Sequence, residues 1–257
     1  MTEGGGGRRD VIIHASTDLN PVPERGTTVT GPHQNRPLVT AGAPLRAADA
    51  AAVLVHGRGA TADSVVRLAD EYYRHGLALL APQAERNRWY PNSFLAPEES
   101  NEPWLSSGRQ AMADAVAEAN DAGIPTDRIL LFGISQGACL VSEFAARNPT
   151  RYGGVVAASG GLMGPEVDSA QYGDDGALDG TPVLVSGTEA DPHVPADRLR
   201  ETAAVFERLG GDVTERIDEG SDHGASDADL AAAGEMVAEL LATAPERESP
   251  ERRSADR

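Results

Sequence analysis

Residues 129–140 read ILLFGISQGACL: four apolar residues, then a serine bracketed by two glycines, then small and apolar residues again. Ile129 to Phe132 has the character of a buried strand. From Gln136 onward, Leu140, Val141 and Phe144 recur at helical spacing. Gly133-Ile134-Ser135-Gln136-Gly137 therefore falls on a strand-to-helix turn. A turn this tight excludes side chains at its outer positions and lifts the serine hydroxyl above the sheet edge, as in a G-x-S-x-G nucleophile elbow. In a chain with 28 glycines the pentapeptide is not specific by itself, so its surroundings must decide.

Outward from this turn, short apolar runs alternate with helical patterns. Strands are predicted near 51–55, 77–81, 129–132, 154–158, 182–185 and 213–217, and helices near 62–75, 105–122, 136–148, 196–209 and 227–242. Such alternation predicts an α/β fold, a mostly parallel central sheet with helices on both faces. Residues 26–45 are expected to add an antiparallel hairpin at the sheet edge. The last helix has its own start signal, because Ser226 precedes Asp229 by three residues in capping-box spacing. The domain is expected to span 26–243, between a mobile N-terminal tail over 1–25 and a disordered C-terminal tail over 244–257, both polar and without periodicity.

In an open parallel sheet the reactive groups gather beyond the carboxyl ends of the strands. Four segments meet that condition. AAVLV runs into His56-Gly57-Arg58-Gly59, ILLF into Ser135, PVLVSG into TEADPHVP with Asp191, and VTERI into DEGSDHG with His223. The chain order Ser, Asp, His is that of the α/β-hydrolase triad. A serine hydroxyl is a poor nucleophile at neutral pH and needs an imidazole to take its proton. A carboxylate on the other ring nitrogen fixes the tautomer and stabilises the imidazolium. The developing oxyanion needs preorganised donors, for which the backbone N–H groups of Gln136 and Arg58 are placed.

LVHGRGAT, GISQGAC, GTEADPHVP and the His223 segment together resemble the phospholipase/carboxylesterase family of α/β-hydrolases over roughly residues 50–242. The resemblance implies serine-dependent hydrolysis of carboxylic esters or thioesters without metal or organic cofactor. It implies Ser135 as nucleophile, Asp191 as acid, His223 as base, and Arg58 and Gln136 as oxyanion donors. Asp222, adjacent to His223, departs from the family's usual small residue and competes with Asp191 as the carboxylate partner.

Composition narrows the function further. The net charge is −18, and all 22 basic residues are arginine. Such a surface repels nucleic acid and anionic membranes, so the expected partner is a small-molecule ester. Acidic excess without lysine suits high ionic strength, which screens self-repulsion; arginine-biased codon usage gives the same composition. No apolar run approaches the ~18 residues of a membrane span. Arg8-Arg9 is followed by only three apolar residues before His14, too few for a twin-arginine export signal. The lone Cys139 permits no internal disulfide, which suits the cytoplasm. Oligomeric state, monomer or homodimer, is left open.

Of the 11 aromatic residues, Trp89, Tyr90, Phe94 and Trp104 fall in one proline-rich connection, where they are expected to wall a substrate pocket. The alternative is that they cover the neighbouring helix. His56 reads first as a ring tying the oxyanion loop to nearby backbone, with a substrate contact as the second reading. His193 either lines the pocket or is solvated. Metal binding by His56, Asp191, His193 and His223 lacks any recognised spacing, and a Walker loop lacks its lysine. Cys139, one helical turn after Ser135, is expected to be packed. The predicted activity is cleavage of small to medium acyl or aryl esters through an acyl-enzyme. A thioesterase, a lysophospholipase, a hydrolase of aromatic-derived esters or lactones, and a non-catalytic ligand-binding protein are the alternatives.

Overall fold

A computed structural model describes residues 31–243 together with the strand Ile13–His14. Its centre is an eight-stranded sheet in the order β1-β2-β4-β3-β5-β6-β7-β8. β3 (Ala50–Val55), β4 (Leu77–Pro82), β5 (Ile129–Ile134), β6 (Gly154–Ala158), β7 (Pro182–Thr188) and β8 (Asp212–Asp218) run parallel. At one edge β2 (Leu38–Gly42) pairs antiparallel with β4, and β1 (Ile13–His14) pairs antiparallel with β2. This is an α/β-hydrolase architecture. The expected edge hairpin is corrected: its strand β2 pairs with β4 and with two residues from the segment assigned to the N-terminal tail. Residues 1–12, 15–30 and 244–257 lie outside the described residues.

The strands belong to two hydrophobic layers because successive side chains leave a strand on opposite sides. In β3, Ala51, Val53 and Val55 enter one core while Ala50, Ala52 and Leu54 enter the other. β5 divides the same way, with Ile129 and Leu131 opposite Leu130 and Phe132. The first layer is closed by α2 (Trp104–Asp121), α3 (Gln136–Arg147) and α4 (Ala196–Arg208), which supply Met112, Leu140 and Phe206. The second is closed by α1 (Ala62–Leu68) and α5 (Asp227–Ala242), through Val66 and Val237. Both faces are dry, so central strands read as continuous apolar runs rather than alternating ones.

α1 ends seven residues short of the predicted 62–75. After Leu68 the chain tightens into a 3-10 turn over Ala69–Glu71. Asp70 and Glu71 place two carboxylates at the negative end of the helix dipole, where they oppose its continuation. α5 begins as its sequence signal predicts: the Ser226 side chain accepts from the Asp229 N–H, and Asp229 accepts from the Ser226 N–H. No helix among the described residues is long and apolar enough to cross a membrane.

The chain leaves β3 toward β4 on one side and returns to place β5 on the other. The order therefore reverses at the β3–β5 pair, and the loops leaving the two strands diverge to open a crevice at their carboxyl ends. The loop that begins at His56 leaves β3 there, and Ser135 leaves β5.

Candidate active site

The elbow is built by backbone crowding. A Cβ on Gly137 would lie 2.1 Å from the Val55 carbonyl oxygen, and one on Gly133 would lie 2.5 Å from the Gly137 oxygen. Only glycine lets α3 start this close to the end of β3. Ser135 between them is held at φ 55°, ψ −119°, a strained conformation for a residue with a side chain. Its N–H donates to the Ala158 carbonyl at 2.8 Å and its C=O accepts from the Cys139 N–H at 3.0 Å, so sheet and helix both fix the turn.

His223 reaches Ser135 because its loop is tied down on both sides. Thr188, at the end of β7, donates its hydroxyl to the Asp222 carbonyl at 2.9 Å. Ser159, just past β6, exchanges hydrogen bonds of 3.0 Å with the N–H and C=O of Gly224. The imidazole Nε2 then stands 2.7 Å from Ser135 Oγ, and Nδ1 stands 2.7 Å from Asp191 Oδ2. The other carboxylate oxygen accepts from the N–H groups of His193 at 2.8 Å and Val194 at 3.1 Å. Burial of the Asp191 side chain alone would raise its pKa. The bonds from His223, His193 and Val194 outweigh that and hold the carboxyl below its usual range. With Asp191 ionised, Nδ1 carries the proton and Nε2 is free to accept from the serine. The carboxylate that meets His223 is that of Asp191; Asp222 turns its backbone to Thr188 and its residue surface to solvent.

The loop after β3 lies over the elbow, since a Cβ on Gly57 would stand 3.5 Å from that of Ser135. Among the described residues the N–H groups of Arg58 and Gln136 have no protein acceptor. Side chains from both residues grip the aromatic connection. Gln136 Oε1 accepts from the Trp89 N–H and its Nε2 donates to the Tyr90 carbonyl, each at 2.8 Å. Arg58 donates to the carbonyls of Pro91 at 3.1 Å and Asn92 at 2.8 Å.

A cavity of about 660 Å³ opens over Ser135 and His223. Tyr90, Phe94 and His193 are among its lining residues. Trp89, Trp104 and His56 are not among its lining residues: the two tryptophans pack away from it, and His56 takes the bracing place that was its first reading. Trp89 is fully buried and donates its indole N–H to the His56 carbonyl at 2.8 Å. Trp104 packs edge-on to His33 with Arg88 over its face. His56 is buried as a brace: Nδ1 donates to the Gly57 carbonyl at 2.8 Å while Nε2 accepts from the Ala84 N–H at 3.2 Å. Burial pushes its pKa down and keeps the ring neutral, despite its hydrogen bond to Gly57.

Cys139 is packed in the cavity wall at 2% exposure, where burial pushes its thiol up to about 11, far from a reactive thiolate. Two contributors had no sequence signal. His33 accepts from the Glu85 N–H at 3.0 Å and donates to the Trp89 carbonyl at 2.9 Å, anchoring the connection from behind. Val194 supplies both a bond to Asp191 and cavity surface. Among the described residues no cluster of three or more His, Cys, Asp or Glu side chains is arranged to hold a metal.

The profile of the phospholipase/carboxylesterase family matches residues 40–241. The crystal structure of a phospholipase/carboxylesterase from Dyadobacter fermentans is 36% identical, with a TM-score of 0.76, covering 82% of this chain and all of that one. A carboxylesterase from Mesorhizobium loti, at 23% identity and a TM-score of 0.61 over 79% of this chain and 94% of that one, shares the fold. Acyl-protein thioesterase 1 from Debaryomyces hansenii is 33% identical over 119 residues, 46% of this chain and 50% of the relative. The counterpart from Gibberella zeae is 30% identical over 105 residues, 41% of this chain and 45% of the relative. The chain thus spans about half the length of the curated relatives it matches. On the profile match and the Dyadobacter structure together, the chain belongs to the phospholipase/carboxylesterase family of α/β-hydrolases.

Proposed function

We propose that the protein is a serine hydrolase that cleaves carboxylic esters through an acyl-enzyme. The observation that carries the reading is the hydrogen-bonded series Ser135 Oγ, His223, Asp191, with 2.7 Å at each link, beneath a cavity. His223 Nε2 takes the hydroxyl proton as Oγ attacks the ester carbonyl, and the carbonyl oxygen becomes an oxyanion facing the N–H groups of Arg58 and Gln136. Each such donor is worth about 2.7–4 kcal/mol of barrier. The tetrahedral intermediate collapses by breaking the bond to the alcohol oxygen, which leaves with the proton from Nε2. Water, deprotonated by the same nitrogen, then attacks the acyl-serine. The acid departs and Ser135 regains its proton.

A thioester is the second reading, supported by the names of the curated relatives, both acyl-protein thioesterases. It uses the same steps with a thiol as leaving group. The test is a panel of nitrophenyl esters from acetate to palmitate, with a thioester included, run on the wild type and on Ser135→Ala. Turnover should fall by roughly 10⁶ in the variant, with an unchanged circular dichroism spectrum. Equal turnover in both proteins would refute the mechanism. A faster thioester than any oxygen ester would select the second reading.

A further inference from the structure

The chain carries 40 carboxylates against 22 arginines, yet among the described residues no Asp or Glu lines the cavity over Ser135. Among the described residues the one permanent charge lining it is the Arg58 guanidinium. Elsewhere arginines are drawn to carboxylates: Arg200 to Asp197 and Glu189, and Arg147 to Glu143 and Glu98. Arg58 has no carboxylate partner among the described residues. It is nonetheless held in place, by the carbonyls of Pro91 and Asn92 and by the Tyr90 ring 5.9 Å beneath it. Those two bonds use two of the five N–H donors of a guanidinium and leave three, so a planar, bidentate acceptor can still be taken. A Cβ on Gly57, the preceding residue, would lie 3.5 Å from that of Ser135, and Arg58 and Ser135 line the same cavity, so the charge stands close to the reacting serine.

We infer that the preferred substrates are esters bearing a free carboxylate, bound by Arg58 at the cavity wall. The inference rests on the serine-hydrolase reading above. A carboxylate fits better than a phosphate monoester because a single guanidinium balances one negative charge, whereas a phosphate carries about −1.5 to −2. It also explains why an acidic protein keeps this cavity clear of acids: a carboxylate on the wall would repel the ligand and neutralise the one cation.

Two matched pairs of esters test this. Hydrogen 4-nitrophenyl glutarate against its methyl ester places the charge on the acyl arm, and 4-acetoxybenzoate against its methyl ester places it on the leaving group. Assays in about 1 M salt screen the long-range repulsion of the net charge. In at least one pair the carboxylate form should have a kcat/KM about tenfold above its methyl ester. Arg58→Gln should lower that ratio about tenfold and Arg58→Lys should keep part of it, each ratio being internal to one protein. Methyl esters preferred in both pairs by the wild type, or a ratio unmoved in Arg58→Gln, would overturn the inference while leaving the hydrolase reading intact. No turnover of any of the four, with no modification of Ser135 by a fluorophosphonate, would remove both.

Discussion

Replacing Gln136 with alanine separates the two duties that one residue performs. Its backbone N–H, the proposed oxyanion donor, is retained, whereas its buried side-chain amide, 5% exposed, disappears. The amide satisfies the Trp89 N–H and the Tyr90 carbonyl, both at 2.8 Å and both buried. Leaving a buried donor or acceptor unpaired costs about 1–3 kcal/mol, so two orphaned groups set a range of about 2–6 kcal/mol. Gln136 also lines the cavity, so water entering from there relieves part of the loss, and about 2–4 kcal/mol is expected. Urea unfolding, monitored by circular dichroism, should show a lower midpoint at unchanged m-value. The Tyr90–Phe94 wall is no longer held to the elbow, so kcat/KM should fall about tenfold, far less than for Ser135→Ala. A destabilisation below about 0.5 kcal/mol, with kcat/KM within a factor of two of wild type, would refute the idea that this clamp organises the site.

Trp89→Ala should behave as a core truncation, losing about 3–5 kcal/mol of stability, rather than as a change in acyl preference. Relative rates across an acetate-to-palmitate series, unchanged in the soluble variant, would agree. Acidification should destabilise the fold through His33 and His56. Burial pushes both below 6.5, so the unfolded chain binds more protons than the native one as pH falls beneath that value. Stability should therefore be full above pH 6.5 and decline below it, and His56→Gln should flatten that slope in denaturation curves taken at several pH values. Asp191 stays ionised throughout this window, because its folded pKa is held below the usual carboxylate range and its contribution is lost only at lower pH. The net charge of −18 leads us to propose adaptation to salt. The melting temperature should rise between low and molar sodium chloride, and a flat or falling trend would favour codon bias as the origin of the arginine excess.

How much was legible in the sequence depends on whether local chemistry or long-range packing fixes the residue concerned. The five inner parallel strands β3–β7 were readable because burial on both faces makes them mostly apolar, whereas β8, largely exposed at the sheet edge, has only Val213 and Ile217 as apolar residues; the elbow was readable because only glycine fits where Gly137 meets Val55. The Ser226–Asp229 signal marked α5, and with it the position of His223. The connection over 83–104 was not readable side chain by side chain. No periodicity governs an irregular segment, so nothing told Tyr90 and Phe94, which line the cavity, from Trp89, which is fully buried, and Trp104, which packs against His33 and Arg88. The direction of Trp89 is set by His56, and by Gln136, 47 residues away. α1 was read too long because hydrophobic spacing continues to Tyr72, which is buried but leaves the helical path.

The most direct test of the central claim is the rate at which a fluorophosphonate modifies the protein, with the adduct mapped by peptide mass spectrometry. One equivalent should bind, on Ser135, and His223→Ala should slow the reaction by several orders of magnitude. Modification at another residue, or an undiminished rate without His223, would contradict the account.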